Sequence, residues 1–364
     1  MHKLFTSSYD ASIYLQQPDQ NTGRDEILEV GKLYYGSTMD IARTLIKFPI
    51  TDVSQSIASN VGTGSYKVFL NLKAANSEEI PVEYTIYANA VSSSWVMGTG
   101  TKFDNVTYDG VTWKYRNGLT ATKWVDYDTT GGTAVYPTTG NRTTGSNNAE
   151  GAVWYLSGSA SQSFNYESDD VRMDVTGIVK LWISGTIDNN GFIIHHHESA
   201  SVNDGVDYGV IKFFSKETHT IYEPKLELVW SDVSFVTGSL TSIPSEDFKV
   251  VLTNLKTKYD TNSKIKIRVK GGDLYPLKSF SNTFVNNTIN YLPTSSYYQL
   301  EDYLTGEVVY PFGEYTKISC DSTGNYFVME LSTLPIDRVY KIKTKIEMGG
   351  IDYIFDDKNT FEIK

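Results

Sequence analysis

At 364 residues, 40% hydrophobic and 21% charged, the chain has the composition of a folded protein of two or three domains rather than a disordered one. Its net charge is −11, and residues 1–232 hold 17 Lys/Arg against 27 Asp/Glu, so they lack the clustered cations that a nucleic-acid partner requires. The one cysteine, Cys320, excludes an internal disulfide framework.

The opening residues, MHKLFTSSYDASIYL, hold no apolar stretch of signal-peptide length. No run approaches the ~18 apolar residues of a membrane span. The expectation is maturation in a cytoplasm, with no membrane insertion. From there a period of two dominates. In 65–74, Tyr66, Val68, Leu70 and Leu72 share one face; in 80–91, Val82, Tyr84, Ile86 and Ala88 do. Residues 44–50, 208–215 and 222–230 read as further short strands. Clusters of Gly, Asn, Ser, Thr and Asp between them mark turns, so the expected class is all-β, a sandwich or barrel. Only 169–185 reads as helical. Val175, Ile178, Val179 and Trp182 fall at i, i+3, i+4 and i+7, with Asp174 as N-cap and Gly185 as the stop. Residues 129–150, rich in Gly, Thr and Asn, predict a long exposed loop.

Beyond 232 the balance changes to 15 Lys/Arg against 16 Asp/Glu. That shift places a domain boundary at 232, giving domains 1–232 and 233–364, with a further candidate boundary near 290. In 264–270, Ile265, Ile267 and Val269 point one way and Lys264, Lys266, Arg268 and Lys270 the other. In 340–348, Ile342, Thr344 and Ile346 oppose Lys341, Lys343 and Lys345. With 248–255, 325–331 and 352–364 these strands predict one or two immunoglobulin-like sandwiches. Charged outward faces keep sheets soluble and protect edges. Lys264, Lys266, Arg268, Lys341, Lys343 and Lys345 also form a candidate docking face for an acidic partner.

Catalytic patterns are missing: no G-x-S-x-G elbow, Walker loop or dinucleotide glycine pattern occurs, and no enzyme activity is expected. Cys320 reads as a packed side chain at a strand end. In a strand, His195 and His197 share one face; with Glu198 they are candidate ligands for a metal such as zinc, against the plainer reading of a polar strand end or hydrogen-bonded buried imidazoles. Glu167, Asp169, Asp170, Asp188, Asp204 and Asp207 crowd loops. No cofactor is expected; converging oxygens in such loops could hold calcium, against the plainer reading of solvated acidic loops. Arg43 is expected to pair with a buried carboxylate such as Asp10.

Three segments in order carry a resemblance. The first runs from Tyr9-Asp10-Ala11 through Asn21-Thr22-Gly23 to Arg43, Leu45 and Phe48. The second holds Trp95, Gly98-Thr99-Gly100, Gly110-Val111-Thr112-Trp113 and Trp124. The third covers 174–194 and leads to 212–230. Together they resemble the DNRLRE-type β-sandwich domain, a jelly-roll module related in shape to carbohydrate-binding domains, over residues 1–232. Bacterial members of that family are exported wall or surface proteins. The expected absence of a signal peptide departs from that habit and fits a bacteriophage virion, which is assembled inside the host.

Residues 292–342 are similar to the C-terminal module of structural proteins from large tailed phages, marine ones above all. Pro293, Tyr297, Tyr298, Asp302, Pro311, Phe312, Asp321, Gly324, Tyr326 and Phe327 carry that match. The resemblance implies a virion structural protein of the tail, baseplate, collar or head surface, oligomeric, with other virion proteins and itself as partners. The alternative is a carbohydrate-binding adhesin or host-surface recognition module. There Trp95, Trp113 and Trp124 would meet host surface glycans, whereas the plainer reading packs them in the sandwich core or over its open end. Asp302 and Asp321, each before a Thr-Gly turn, predict tight turns that fix strand register.

Overall fold

The computed structural model describes residues 1–36, 38–62, 64–124, 135–137, 151–165, 169–196, 206–244, 247–275 and 289–364. The 129–150 loop lies outside them except for residues 135–137, which form a short strand. The chain is all-β and divides into two compact units. Met1–Leu4, Thr63–Tyr66 and Val229–Lys364 form one; Phe5–Gly62 and Lys67–Leu228 form the larger one.

The chain begins with β1 (His2–Thr6), β2 (Tyr9–Tyr14), β3 (Ile27–Tyr35) and β4 (Thr38–Lys47). After a helix, α1 (Ile50–Ser56), come β5 (Tyr66–Leu72), β6 (Ala74–Glu78) and β7 (Glu83–Val91). The short strands β8 (Tyr115–Asn117), β9 (Thr122–Lys123) and β10 (Val135–Pro137) precede β11 (Val153–Asn165) and β12 (Val171–Asp174). A second helix, α2 (Thr176–Ile183), leads to β13 (Phe192–His196), β14 (Gly209–Phe214) and β15 (Lys225–Trp230).

These strands form two main sheets. One has the order β10-β11-β7-β13-β4-β3-β14-β6, with β2 also on β4; the other has the order β1-β15-β5-β12. Strand β4 explains why its stretch of sequence does not alternate. Met39, Ile41, Arg43 and Leu45 point to one face and Ala42, Thr44 and Ile46 to the other, and all seven are buried. A central strand covered on both sides reads as a continuous run rather than a period of two.

Helix α1 lies where the sequence predicts no helix. It is seven residues long and buries only Val53 and Ser56, too little to print a 3.6-residue period. Helix α2 buries Ile178, Val179 and Trp182, as the spacing predicts, but it is shorter than 169–185. Val175 holds the N-cap position. Asp174 ends β12 one residue further out, where its Oδ1 accepts the Thr176 backbone N–H at 3.1 Å and hydroxyl at 2.5 Å. Gly185 stops the helix with φ +70°.

The C-terminal unit is built from β16 (Thr241–Ser242), β17 (Phe248–Leu252), β18 (Lys258–Tyr259), β19 (Lys264–Asp273) and β20 (Asn290–Tyr291). Then come β21 (Ser296–Asp302), β22 (Val308–Tyr310), β23 (Ser319–Asp321), β24 (Gly324–Glu330), β25 (Val339–Met348) and β26 (Ile351–Ile363). One sheet has the order β16-β20-β19-β24-β23 with β17 on β19; the other runs β18-β26-β25-β21-β22. Ile265, Ile267, Val269 and Phe327 from the first share one core with Leu300, Ile342, Ile346 and Phe361 from the second. Residues on both sides of 290 therefore contribute to a single core. Tyr298 stacks on Phe327 across it at 4.1 Å.

The two turn aspartates do the work their positions suggest. Asp302 Oδ1 accepts the backbone N–H groups of Leu304 and Thr305, each at 3.0 Å. Asp321 Oδ1 accepts the backbone N–H of Thr323 at 3.0 Å and its hydroxyl at 2.6 Å. Cys320 is buried at the middle of β23, and burial, with Asp321 beside it, pushes its thiol pKa up.

Candidate functional site

The motif residues of the first 124 positions meet around one side chain. Asn21 is fully buried. Its Nδ2 donates to the carbonyls of Met97 at 2.7 Å and Val111 at 2.8 Å. Its Oδ1 accepts the N–H groups of Gly100 at 2.8 Å and Gly23 at 3.3 Å. One amide thus ties residues 97–111 to the loop after β2. Gly98, Gly100 and Gly110 are packed so closely on Asn21 that a Cβ at any of them would collide with it. Gly98 also holds φ +80°, which favours glycine.

The segment so pinned places Trp113 over the sheet. Trp113 and Trp124 are buried in a cluster with Ile13, Leu45, Val91, Trp154 and Ile193. Neither indole offers a face to a sugar, so the glycan platform drawn from these two tryptophans is not formed. Trp95 is partly buried, with its Nε1 donating to the Asn190 carbonyl at 2.7 Å.

Arg43 is fully buried in the same region. Its guanidinium lies 4.6 Å from the Trp113 ring and 5.3 Å from the Trp154 ring, and its Nη1 donates to the Gly151 carbonyl. The expected pair with Asp10 does not form. Arg43 is opposite Ile13 and Asp10 is opposite Ile46, which puts the two side chains on opposite faces of the sheet.

Asp10 instead accepts the Lys216 backbone N–H at 2.7 Å, and burial pushes its pKa up to about 7. The folded state therefore keeps a proton that the unfolded chain loses at about pH 4. Stability from this group is full below that pH and falls as pH rises towards 7. Asp10→Asn is expected to be about 2–4 kcal/mol more stable than the parent at pH 8 and equal to it at pH 4. Urea unfolding at the two pH values checks this; an equal difference at both would refute it.

The histidines of β13 are both buried, on opposite faces. His195 Nδ1 lies 2.7 Å from the His196 carbonyl, and its Nε2 lies 3.1 Å from Asn89 Oδ1. With both ring nitrogens engaged, His195 does not present a lone pair to a metal. His197 and Glu198 lie outside the described residues. Burial, with His195 beside it, pushes the His196 pKa down to about 3, so that ring is neutral. The Val30 backbone lies near the ring, but among the described residues neither ring nitrogen has a partner at hydrogen-bonding geometry.

The acidic loops are likewise engaged. Asp169 accepts the hydroxyls of Ser77 and Tyr84; Asp170 accepts the Ala74 N–H at 2.8 Å; Asp207 accepts the Tyr34 N–H at 2.8 Å. Glu167 and Asp204 lie outside the described residues. Among the described residues no three His, Cys, Asp or Glu side chains converge as a metal site would.

The cationic strand faces are paired within their own sheets. Lys266 and Arg268 lie 3.1 and 2.8 Å from Asp321. The Arg268 guanidinium, with Thr323 and Lys266, holds that carboxyl well below the usual range. Lys341 and Lys343 contact Glu301 and Asp356; Lys345 contacts Glu347 and Asp352. Lys264 is exposed opposite Glu330. The docking face expected there is therefore largely offset by its own carboxylates.

A surface groove of about 540 Å³ was not visible in the sequence. Glu83, Tyr84, Thr85, Tyr87, Ser163, Phe164, Asn165 and Tyr208 line it. Tyr87 stacks on His195 at 5.9 Å, and His195 stacks on Trp154 at 4.6 Å. Tyr208 stacks on His196 at 5.4 Å, and Tyr84 on Phe164 at 4.7 Å. The hydroxyls of Thr85 and Ser163 are 3.0 Å apart. The two histidines thus serve as backing for two groove tyrosines.

No protein-family model and no curated protein matches the chain. Among solved structures, it is similar to a DUF4785 family protein from Legionella pneumophila subsp. pneumophila str. Philadelphia 1, at 7% identity and a TM-score of 0.20. That match covers 100% of this chain and 65% of the other, so this chain spans about two-thirds of the Legionella protein's length.

Proposed function

We propose that the protein is a non-catalytic structural component of a bacteriophage virion, in the tail, baseplate, collar or head surface, assembling with other virion proteins and with itself. The observation that carries this reading is the use made of the motif residues. Asn21, Gly23, Gly98, Gly100, Gly110 and Trp113 carry the resemblance to a sandwich module, and each is spent on packing or on the latch. Chemistry-bearing groups follow the same pattern: His195 and His196 back tyrosines, and Asp302 and Asp321 close turns.

The segment tied down by Asn21, and the turn at Leu119 that follows it, also hold large apolar side chains outward. Phe103 is 90% exposed and Leu119 77%, with Val106 and Tyr108 also exposed. Large apolar groups displayed on a pinned segment suit a surface that another protein covers. In a phage carrying a nonsense mutation in this gene, the expected result is particles that are incomplete or poorly infectious. A normal yield of complete, infectious particles would count against the proposal.

A further inference from the structure

We infer that the groove at the paired ends of β7 and β11 is a carbohydrate-binding site, with Tyr87 and Tyr208 as its stacking rings. Its size lies within the range of about 300–1,000 Å³ usual for small-molecule sites. The lining is half aromatic and half polar but uncharged except for Glu83. Among the described residues no Lys or Arg lines it, which disfavours a phosphate or nucleic-acid ligand. Thr85, Ser163 and Asn165 disfavour a wholly apolar one, because the hydrogen-bonding capacity left over from their mutual bond and the bond to Glu83 would lose water without replacement.

A pyranose ring meets both halves at once. Its C–H face packs on an aromatic ring, and its rim of hydroxyls both donates and accepts. Tyr87 and Tyr208 are half-buried, so each keeps an accessible part while its ring is fixed from behind. His195 is itself held at both ring nitrogens and packed on Trp154, so Tyr87 is set at a fixed angle. Lys32 Nζ lies 5.4 Å from the Tyr208 ring centroid and adds a second restraint. Rings fixed in advance bind a sugar without a large ordering cost. Glu83 accepts from Asn165 Nδ2 at 3.5 Å, a long bond that sugar hydroxyls can replace.

The test uses the full chain and does not depend on the virion reading, since a sugar site would stand whether or not the chain is found in particles. The probes are maltohexaose, cellohexaose, laminarihexaose and chitohexaose by saturation-transfer NMR, together with an array of bacterial surface polysaccharides. Binding of at least one probe is expected. For that probe, Tyr208→Ala and Tyr87→Ala each weaken affinity by about tenfold or more, the loss of one stacking face. Tyr208→Phe keeps the ring and binds within about threefold of the parent. Tyr303→Ala, an exposed tyrosine of the other unit, leaves binding unchanged. Circular dichroism confirms that each variant is folded, and the folded Tyr208→Phe keeps the comparison decisive if an alanine variant fails. No binding to any probe overturns the inference. So does binding that survives both alanine changes in folded protein.

Discussion

Replacing Asn21 by alanine is expected to destabilise the larger unit by about 3–5 kcal/mol, one of the two largest single-site losses expected in the chain. The loss does not come from volume. Alanine leaves the carbonyls of Met97 and Val111 and the N–H groups of Gly100 and Gly23 buried without their partner, and each orphaned group costs about 1–3 kcal/mol before relaxation. Asn21→Asp separates the two explanations. Aspartate keeps the shape and both accepted bonds, yet turns the two donated bonds into contacts between oxygens. It is expected to cost as much as alanine at neutral pH, and less once protonated at low pH. Gly110→Val attacks the same knot from the other side, because its side chain would enter the space of the Gly98 backbone and the Asn21 amide. Five of the six tryptophans lie in this unit, so indole emission during urea unfolding follows it selectively. An Asn21→Ala loss below about 1 kcal/mol would show that the amide is not the latch.

The second large effect is expected at Arg338. Asp302 is 2% exposed, and its Oδ2 accepts Arg338 Nε at 2.8 Å while Nη2 lies 2.6 Å away. Burial alone would raise the pKa of this carboxyl. The N–H groups of Thr305 and Leu304 and the Arg338 guanidinium outweigh burial and hold it below the usual value. A depressed carboxyl contributes stability above its unfolded pKa of about 4 and loses it as pH falls through the lower folded value. Arg338→Met removes the cation and leaves the anion buried, at an expected cost of about 2–4 kcal/mol at pH 7. The double variant Asp302→Asn with Arg338→Met is expected to recover part of that loss, because the uncompensated charge is gone. Calorimetry of the three proteins checks this. A double variant no more stable than Arg338→Met would show that the charge was not the cause.

Much of the fold is legible in the chain because alternation is a local signal. Ile265, Ile267 and Val269 face inward and Lys266 and Arg268 outward, as their order requires. The signal weakens where a strand is covered on both faces, as in β4, of which the stretch 44–50 predicts only the second half, and it fails where an element is too short for its period to register, as in α1. The site was legible only in part. The run His195-His196-His197 marks the strand that backs the groove, but sequence does not tell a ligand from a backing ring, since that depends on Tyr87 and Tyr208 arriving from elsewhere. The groove draws on three separate stretches, 83–87, 163–165 and 208, which share no spacing rule. Asn21 and its glycines were visible as motifs. Their convergence was not, because residues 21, 98, 100 and 110 meet only after the 97–111 segment folds back over the sheet. Arg43 and Asp10 show a subtler limit: their offset along adjacent strands decides the face each takes, and register is set by the whole sheet.

As a proposed built part of a phage particle, the chain should travel with the particles. Quantitative mass spectrometry of gradient-purified particles tests that proposal most directly. The result expected is recovery of the chain with the particles through repeated banding, in fixed ratio to the major capsid protein and at a copy number that matches a symmetric ring or shell. Abundant protein in the infected lysate with none in the banded particles would contradict it.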